Sequence, residues 1–180
     1  MTLDKRRFDM KQCAQGMVPF LTSDEIAELV KSIADEIKSR HGDDHLHFVC
    51  PLKGSIMFLT DLSRHFRGDS VTIDFVKVRS KGSGFVVEKD IETDISGKSV
   101  IIIEEIIDAG RTLSFLKNHL TISYPKSVEI ACLLDKPARR EMPIAPNYTG
   151  KTIDDRYVVG YGLDSDEIGR NYKDIYNFLQ

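Results

Sequence analysis

Two adjacent glutamates followed by a short turn are the residues of this chain best suited to chemistry. Glu104 and Glu105 come directly after the β-branched run 100–103, and the small-residue turn 108–112 follows shortly after them. Carboxylates accept hydrogen bonds from the hydroxyls of a vicinal diol. Consecutive backbone N–H groups at a helix start, together with the helix dipole, favour a bound phosphate. The stretch predicts a site for a phosphate and a diol; the alternative for the two glutamates is a solvated strand end without a metal.

The turn itself has the residue types that a phosphate cradle needs. Gly110 lets the backbone approach a ligand closely, and the hydroxyl of Thr112 adds a donor. Arg111 could add positive charge, although its side chain could equally face the solvent. Asp108 and Ala109 complete the turn.

The elements around this turn predict an α/β fold. The β-branched run is typical of a strand that is buried on both faces, as in a parallel sheet, and Leu113, Leu116 and Leu120 follow at helical spacing. Polar groups at the carboxyl end of such a strand lie where open α/β sheets bind ligands.

The rest of the chain alternates in the same way. Thr22 and Glu25 form a possible capping box for an amphipathic helix that Gly42 ends. Further strands are predicted over 47–52, 71–78, 128–134 and 156–164, a helix over 56–66, a flexible loop over 80–90, a connection over 139–146 and a partial cap over the tail to residue 180. We expect one domain, residues 1–180, with a mostly parallel twisted sheet and helices on both faces.

Composition narrows the classes of function. The 180 residues carry a net charge of −3, which gives no general electrostatic case for nucleic acid or an anionic membrane as a partner. The chain has no signal-peptide pattern and no apolar run of membrane-spanning length, so a cytosolic protein is expected. The three cysteines, Cys13, Cys50 and Cys132, are predicted to be free thiols, buried at the last two positions.

The sequence gives little support to several other kinds of catalytic or binding site. The sequence has no GxxxxGK[ST] motif and no dinucleotide-binding fingerprint. Ser55 has no neighbouring histidine and no nucleophile elbow. His41, His45 and His47 could hold a metal, but loop and strand-edge histidines are the favoured interpretation.

The stretch 100–113 resembles the signature of the type I phosphoribosyltransferases, which bind 5-phosphoribosyl 1-diphosphate. Further motifs resemble the 6-oxopurine branch, the hypoxanthine-guanine phosphoribosyltransferases: residues 52–55 (LKGS), 134–137 (LDKP) and 158–164 (VVGYGLD), followed by Arg170. The match runs from about residue 46 to residue 175 in order and spacing. The resemblance implies the type I phosphoribosyltransferase fold, with a small hood from the chain termini.

On the sugar-phosphate side, the resemblance implies a role for each matching residue. Glu104 and Glu105 would hold the ribose hydroxyls, directly or through Mg²⁺. Residues 109–112 (Ala109, Gly110, Arg111 and Thr112) would cradle the 5-phosphate. Lys53, Gly54 and Arg170 would meet the diphosphate, with a non-proline cis bond after Leu52 in many family members. Asp164 would hold a second Mg²⁺.

On the purine side, Asp108 would act as the base toward N7. Lys136 would contact O6, Tyr157 would stack on the ring and the backbone of Val158 would read the purine edge. The loop at 80–90, with Ser80 and Lys81, would close as a lid over the reactive sugar.

Three positions depart from the family pattern. Glu105 stands where the family usually has aspartate, Lys81 where it has tyrosine, and Ser165 where an aromatic residue commonly follows the aspartate. The function that the resemblance implies is Mg²⁺-dependent formation of IMP or GMP, in a homodimer or homotetramer. The alternatives are a non-catalytic RNA-binding regulator on the same fold and a transferase for another base; the sequence leaves open the choice among hypoxanthine, guanine and xanthine.

Overall fold

The computed structural model describes residues 17–82 and 84–178, which form two sheets and three helices. The helices are α1 (Ser23–His41), α2 (Ile56–Ser63) and α3 (Arg111–Thr121), and a 3₁₀ turn covers Pro137–Arg139. The strands are β1 (Met17–Leu21), β2 (Leu46–Pro51), β3 (Val71–Lys81), β4 (Gly84–Lys89), β5 (Ser99–Ile107), β6 (Ser127–Asp135), β7 (Tyr148–Thr152), β8 (Val158–Val159) and β9 (Ile175–Phe178).

The larger sheet has the strand order β4-β3-β2-β5-β6-β7. All of its neighbouring strands are parallel except β3 and β4, which pair antiparallel. β5 lies between β2 and β6, and its residues from Val100 to Ile103 are fully buried. The prediction of a mostly parallel sheet built around this strand is confirmed.

Helices cover both faces of the sheet, and β5 supplies side chains to each face in turn. Ile101 and Ile103 pack in the cluster that holds α1 and α2, whereas Val100 and Ile102 pack in the cluster that holds α3. This division follows from the strand geometry, because successive side chains of a strand point to opposite faces. The unbroken apolar run therefore reflects burial on both sides.

The first helix begins and ends as its sequence predicts. The Thr22 side chain accepts a hydrogen bond from the N–H of Glu25, and the Glu25 carboxylate accepts one from the N–H of Thr22, which completes the capping box. Gly42, with φ of +58°, ends the helix.

A buried polar cluster joins the end of α1 to β6 and β7. The Tyr148 hydroxyl donates to Glu129 Oε2 at 2.5 Å, His41 Nε2 lies 3.0 Å from the same oxygen, and Arg40 Nη2 lies 3.0 Å from Oε1. Burial opposes ionisation of Glu129, but the hydrogen bonds from Tyr148 and His41 and the charge of Arg40 outweigh it and lower the pKa of this carboxyl.

The prediction of a flexible loop over 80–90 is wrong, because most of this segment belongs to a β-hairpin. β3 continues to Lys81 and pairs with β4 down to Lys81 opposite Gly84. Gly82, at φ of +60°, lies in the turn. Lys77 and Arg79 of β3 both pair with Glu88 of β4 and hold its pKa at about 2. Cross-strand partners of this kind cannot be seen in the polar composition of a single segment.

The prediction of a strand over 156–164 is also wrong, because the observed strand is much shorter. The strand covers only Val158 and Val159, and Gly160 (φ +118°), Tyr161 (φ +50°) and Gly162 (φ +96°) turn the chain immediately afterwards. β8 does not join the large sheet but pairs with β9, which in turn pairs with β1. This second sheet of three short strands, from segments near both ends of the chain, matches the predicted hood. The edge strand β7 was not predicted.

Cys50 and Cys132 are buried free thiols, as predicted, and burial raises the pKa of both. Cys13 lies outside the described residues. Across residues 17–82 and 84–178, no helix has the length and apolar character needed to cross a membrane.

Candidate active site

The turn between β5 and α3 has the geometry of an anion cradle. β5 ends at Ile107 and α3 begins at Arg111, with Gly110 in the left-handed conformation (φ +78°) immediately before the helix. The first helical hydrogen bond runs from the N–H of Ser114 to the carbonyl of Gly110, at 2.9 Å. The N–H groups of the first residues of a helix have no acceptor within the helix, so they point toward whatever lies before it.

The cradle opens into a cleft of about 420 Å³. The hairpin supplies one side of the cleft through Ser80, Gly82, Gly84 and Phe85, and the other side consists of Glu104 and residues 106–113. Phe85 packs on α3 through Phe115, with ring centroids 5.4 Å apart. Of the two residues predicted for a lid, Ser80 lines the cleft, whereas Lys81 is exposed at the end of β3.

Glu104 and Glu105 lie within β5, so the expectation that they follow the strand is wrong: the strand extends past them to Ile107. Because they are consecutive in a strand, their side chains leave it toward opposite faces. Burial and the charge of Glu105 raise the pKa of Glu104 well above its usual range. Burial also raises the pKa of Glu105, although the hydrogen bond from Ser55 opposes this.

Glu105 contacts the loop that precedes α2. The Ser55 hydroxyl donates to Glu105 Oε2 at 2.5 Å. A Cβ on Gly54 would lie 2.5 Å from Cδ of Glu105, and one on Gly162 would lie 3.0 Å from the carbonyl carbon of Gly54. A side chain at position 54 would therefore have to displace the Glu105 carboxylate, whereas at position 162 the backbone of Gly54 leaves no space for one and the φ of +96° also favours glycine. The peptide bond between Leu52 and Lys53 is cis.

The loop at 160–170 gathers the residues predicted for the diphosphate. Arg170 Nη2 lies 2.9 Å from Asp164 Oδ1, and Arg170 Nη1 donates to the carbonyl of Gly162 at 2.8 Å. Lys53 Nζ lies 2.8 Å from Glu167 Oε2, with both side chains more than half exposed. The structure therefore brings Lys53, Gly54, Asp164 and Arg170 together on the Glu105 side of β5.

Three residues predicted for the purine lie after β6 and at the start of β8. Lys136 is buried, and its Nζ donates to the carbonyl of Arg156 at 2.7 Å. Tyr157 exposes 42% of its surface, and its hydroxyl lies 3.4 Å from the carbonyl of Asp164. Val158 is buried in the hood sheet.

Three consecutive residues without a predicted role in the site, Arg139, Arg140 and Glu141, clamp the cradle. Arg139 Nε donates to Asp108 Oδ1 at 3.0 Å. Arg140 Nη1 donates to the carbonyl of Asp108 at 2.5 Å, and its Nη2 pairs with Asp135. The N–H of Glu141 donates to the carbonyl of Ala109 at 3.0 Å.

The clamp also shows which of the two predicted orientations Arg111 adopts, toward a bound phosphate or toward the solvent. Its Nε donates to Glu141 Oε2 at 2.6 Å, so the guanidinium is paired at the surface. The signal that could have identified the clamp was the pair of arginines that begins three residues after Lys136, but Asp108, which both arginines contact, lies 31 and 32 residues away from them in sequence.

Of the three histidines that could hold a metal by sequence, His41 lies apart from the other two. His41 belongs to the Glu129 cluster, whereas His45 and His47 contact Thr72. Within 17–82 and 84–178, no group of three or more His, Cys, Asp or Glu side chains is arranged to hold a metal ion. Glu104, Glu105 and Asp164 nevertheless offer the hard oxygen ligands that Mg²⁺ prefers. Because Mg²⁺ is usually bound by one or two carboxylates together with substrate phosphates, these residues fit that ion.

Comparisons with known proteins identify the family. Residues 20–166 match the phosphoribosyl transferase domain model. The hypoxanthine phosphoribosyltransferase of Escherichia coli K12 is 40% identical over 162 residues, covering 86% of this chain and 89% of that protein. The hypoxanthine-guanine phosphoribosyltransferase of Aquifex aeolicus is 34% identical over 163 residues, covering 87% and 91%.

A solved structure also matches the fold of the chain. The crystal structure of a hypoxanthine-guanine phosphoribosyltransferase from Bacillus anthracis, with a HEPES molecule in its active site, is 36% identical. It superposes with a TM-score of 0.87 over 91% of this chain and 99% of that one. The family match over most of the chain and the agreement of the fold lead to one conclusion: the chain belongs to the phosphoribosyl transferase domain family.

Proposed function

We propose that the protein is a hypoxanthine-guanine phosphoribosyltransferase of purine salvage. It transfers the 5-phosphoribosyl group of phosphoribosyl diphosphate to N9 of hypoxanthine or guanine, giving IMP or GMP and diphosphate. The observation that carries this proposal is the meeting of a phosphate cradle, two acids and the loop that holds Arg170 at the carboxyl end of β5. The names of the relatives at 34–40% identity support the same reaction.

The cradle binds the 5-phosphate. Backbone N–H groups of residues 109–112 and the start of α3 supply the donors, and the hydroxyl of Thr112 adds another. The pairing of Arg111 with Glu141 removes much of the positive charge from this end of the cleft. The phosphate is therefore held mainly by backbone dipoles, which hold one fixed geometry better than a long side chain.

The two acids hold the ribose hydroxyls, Glu104 from the cleft side of β5 and Glu105 from the Gly54 side, directly or through Mg²⁺. Glu104 and Glu105 would hold one Mg²⁺ and Asp164 a second, and these ions would supply positive charge against the diphosphate leaving group. Arg170, Lys53 and the backbone of Gly54 bind the diphosphate itself. In the described structure Arg170 and Lys53 are paired with Asp164 and Glu167, and these pairs have to open or rearrange as the diphosphate binds.

The purine binds on the other side, where Lys136 donates to O6, Tyr157 stacks on the ring and the backbone of Val158 contacts the edge. As the bond from N9 to C1′ forms, the bond from C1′ to the diphosphate oxygen breaks, and the N7 proton of the purine passes to the Asp108 carboxylate. The hairpin that carries Ser80 and Lys81 excludes water from the reactive sugar by closing over the cleft.

An assay of nucleotide formation tests the proposal. The protein is incubated with Mg²⁺ and phosphoribosyl diphosphate together with hypoxanthine, guanine, xanthine, adenine or uracil in turn. We expect IMP and GMP, each accompanied by one equivalent of diphosphate. The absence of turnover with every 6-oxopurine would reject the proposal, and turnover with adenine or uracil alone would assign another base. Light scattering of the same sample tests the expected homodimer or homotetramer.

A further inference from the structure

Arg139 lies between the two side chains that the proposed function places along one edge of the purine. Its Nε donates to Asp108 Oδ1 at 3.0 Å, and its Nη1 donates to Asp155 Oδ2 at 3.3 Å. Lys136 Nζ lies 3.8 Å from Asp155 Oδ1. A chain of contacts therefore runs from Asp108 through Arg139 and Asp155 to Lys136.

This chain of contacts matches the chemistry of the purine edge. N7 and O6 are neighbours on the same edge of a 6-oxopurine, and the proposed function assigns N7 to Asp108 and O6 to Lys136. The separation of those two side chains therefore sets how well the edge is recognised. A guanidinium suits the task of fixing that separation because its donors lie in one rigid plane and can reach two carboxylates at once.

The local backbone keeps Arg139 in this position. Arg139 ends the 3₁₀ turn Pro137–Arg139, and its N–H donates to the carbonyl of Lys136 at 3.0 Å. The next residue, Arg140, is anchored to Asp135 and to the carbonyl of Asp108. Arg139 therefore lies between its own backbone hydrogen bond to Lys136 and the anchored side chain of Arg140, and its side chain bridges Asp108 and Asp155 from there.

We infer that Arg139 is a positioning residue for the purine, acting through Asp108 and, by way of Asp155, through Lys136. The inference rests on the proposed function. The side chains of Arg139, Asp108 and Asp155 are about half exposed, at 50%, 47% and 57%. Ion pairs of that exposure are weak, so their loss changes recognition by about threefold to tenfold and does not abolish it.

The first test compares Arg139→Ala with Arg67→Ala, a matched control whose exposed partner Asp69 lies in the loop after α2. In Arg139→Ala, the KM for hypoxanthine should rise by about threefold to tenfold, whereas the KM for phosphoribosyl diphosphate and the melting temperature should stay near those of the wild type. Arg67→Ala should leave all three unchanged.

The second test asks whether the effect reaches N7. In 7-deazahypoxanthine a carbon replaces N7, so the ligand has no acidic N–H at this position for Asp108 to deprotonate. The preference for hypoxanthine is the ratio of the inhibition constant of the analogue to the KM for hypoxanthine. This ratio should fall in Arg139→Ala by about the same threefold to tenfold. Asp155→Asn should also raise the KM for hypoxanthine. The double variant Arg139→Ala/Asp155→Asn should have a KM for hypoxanthine close to that of Arg139→Ala alone.

Each remaining outcome overturns the inference. Unchanged constants in Arg139→Ala, with a wild-type enzyme that forms IMP, would reject the positioning role alone. Equal increases in both KM values with a lower melting temperature would show a structural role. Full recovery in Arg139→Lys, which keeps the charge but reaches one carboxylate, would show that bridging is unnecessary. A wild-type enzyme without turnover on any 6-oxopurine would reject the proposed function and the inference with it.

Discussion

Replacing Gly54 with alanine should displace the carboxylate of Glu105. A Cβ at this position would lie 2.5 Å from Cδ of Glu105 and nearer still to Oε1. Carbon atoms in ordinary contact are about 3.5–4.0 Å apart, so the carboxyl group has to move by at least about 1 Å. That movement disrupts the hydrogen bond from Ser55, which the structure places at 2.5 Å.

The size of the effect follows from this geometry. Overpacking of a buried contact costs about 1–3 kcal/mol, which lowers the melting temperature of a domain of this size by roughly 3–9 °C. The displaced carboxylate also loses the contact with a ribose hydroxyl that the proposed function gives it, and because such a hydrogen bond is worth about 1.5–3 kcal/mol, kcat/KM for phosphoribosyl diphosphate should fall by at least about tenfold. Thermal unfolding and steady-state kinetics measure the two quantities independently.

A second substitution should reverse the first. Glu105→Asp shortens the side chain by one methylene, about 1.5 Å, which is enough to clear an alanine at position 54. The double variant Gly54→Ala/Glu105→Asp should therefore recover most of the stability that Gly54→Ala loses. Gly68→Ala is the matched control, because a Cβ there would meet nothing within 4 Å. It should change stability by less than about 0.5 kcal/mol.

Two results would refute this reasoning. A wild-type melting temperature and KM in Gly54→Ala would mean that Glu105 moves aside at no cost, so its place against Gly54 is unimportant. Additive losses in the double variant would mean that the clash with Glu105 is not the cause of the defect.

Three further predictions follow from the site and from the Glu129 cluster. Asp108→Asn should lower kcat by about 10²- to 10⁴-fold with phosphoribosyl diphosphate binding nearly intact, as measured by single-turnover kinetics and calorimetry; an unchanged kcat would remove Asp108 from the base role. Lys136→Ala should raise the KM for the base by about tenfold or more, and a selective loss of diphosphate binding would contradict that role. Glu129→Gln should cost about 1–3 kcal/mol at pH 7. Folding lowers the pKa of Glu129 from 4.5, so the extra stability of the wild type over the variant is complete above pH 4.5 and is lost as the pH falls through the folded pKa. Urea unfolding of both proteins at pH 7 and pH 3 checks this. An equal difference in unfolding free energy at the two pH values would contradict it.

The centre of the fold could be predicted because its signals are local. The run from Val100 to Ile103 and the leucines of α3 specify a buried strand and a helix through composition and period alone. The capping box of α1 needs only Thr22 and Glu25. In each case the residues that decide the structure lie within one or two turns of one another.

The wrong predictions concern contacts between distant residues or unusual backbone angles. The hairpin depends on pairs such as Arg79 with Glu88, and β8 ends early because Tyr161, not only its glycine neighbours, has a positive φ. A tyrosine carries no sequence signal for such a conformation. The clamp of the cradle was missed for the first reason, since Arg139 reaches Asp108 across 31 residues.

The alternation of side chains along β5 explains how the site accommodates its unusual second glutamate. Glu104 faces the cleft with the cradle and the hairpin, whereas Glu105 faces Ser55 and Gly54. In the proposed reaction the substrate has a phosphate at one end and a diphosphate at the other, so its sugar crosses the end of β5 and meets both acids. A longer side chain at position 105 therefore changes only the diphosphate side. There the extra methylene brings the carboxylate against Gly54, where the missing Cβ leaves room for it, and within reach of the Ser55 hydroxyl.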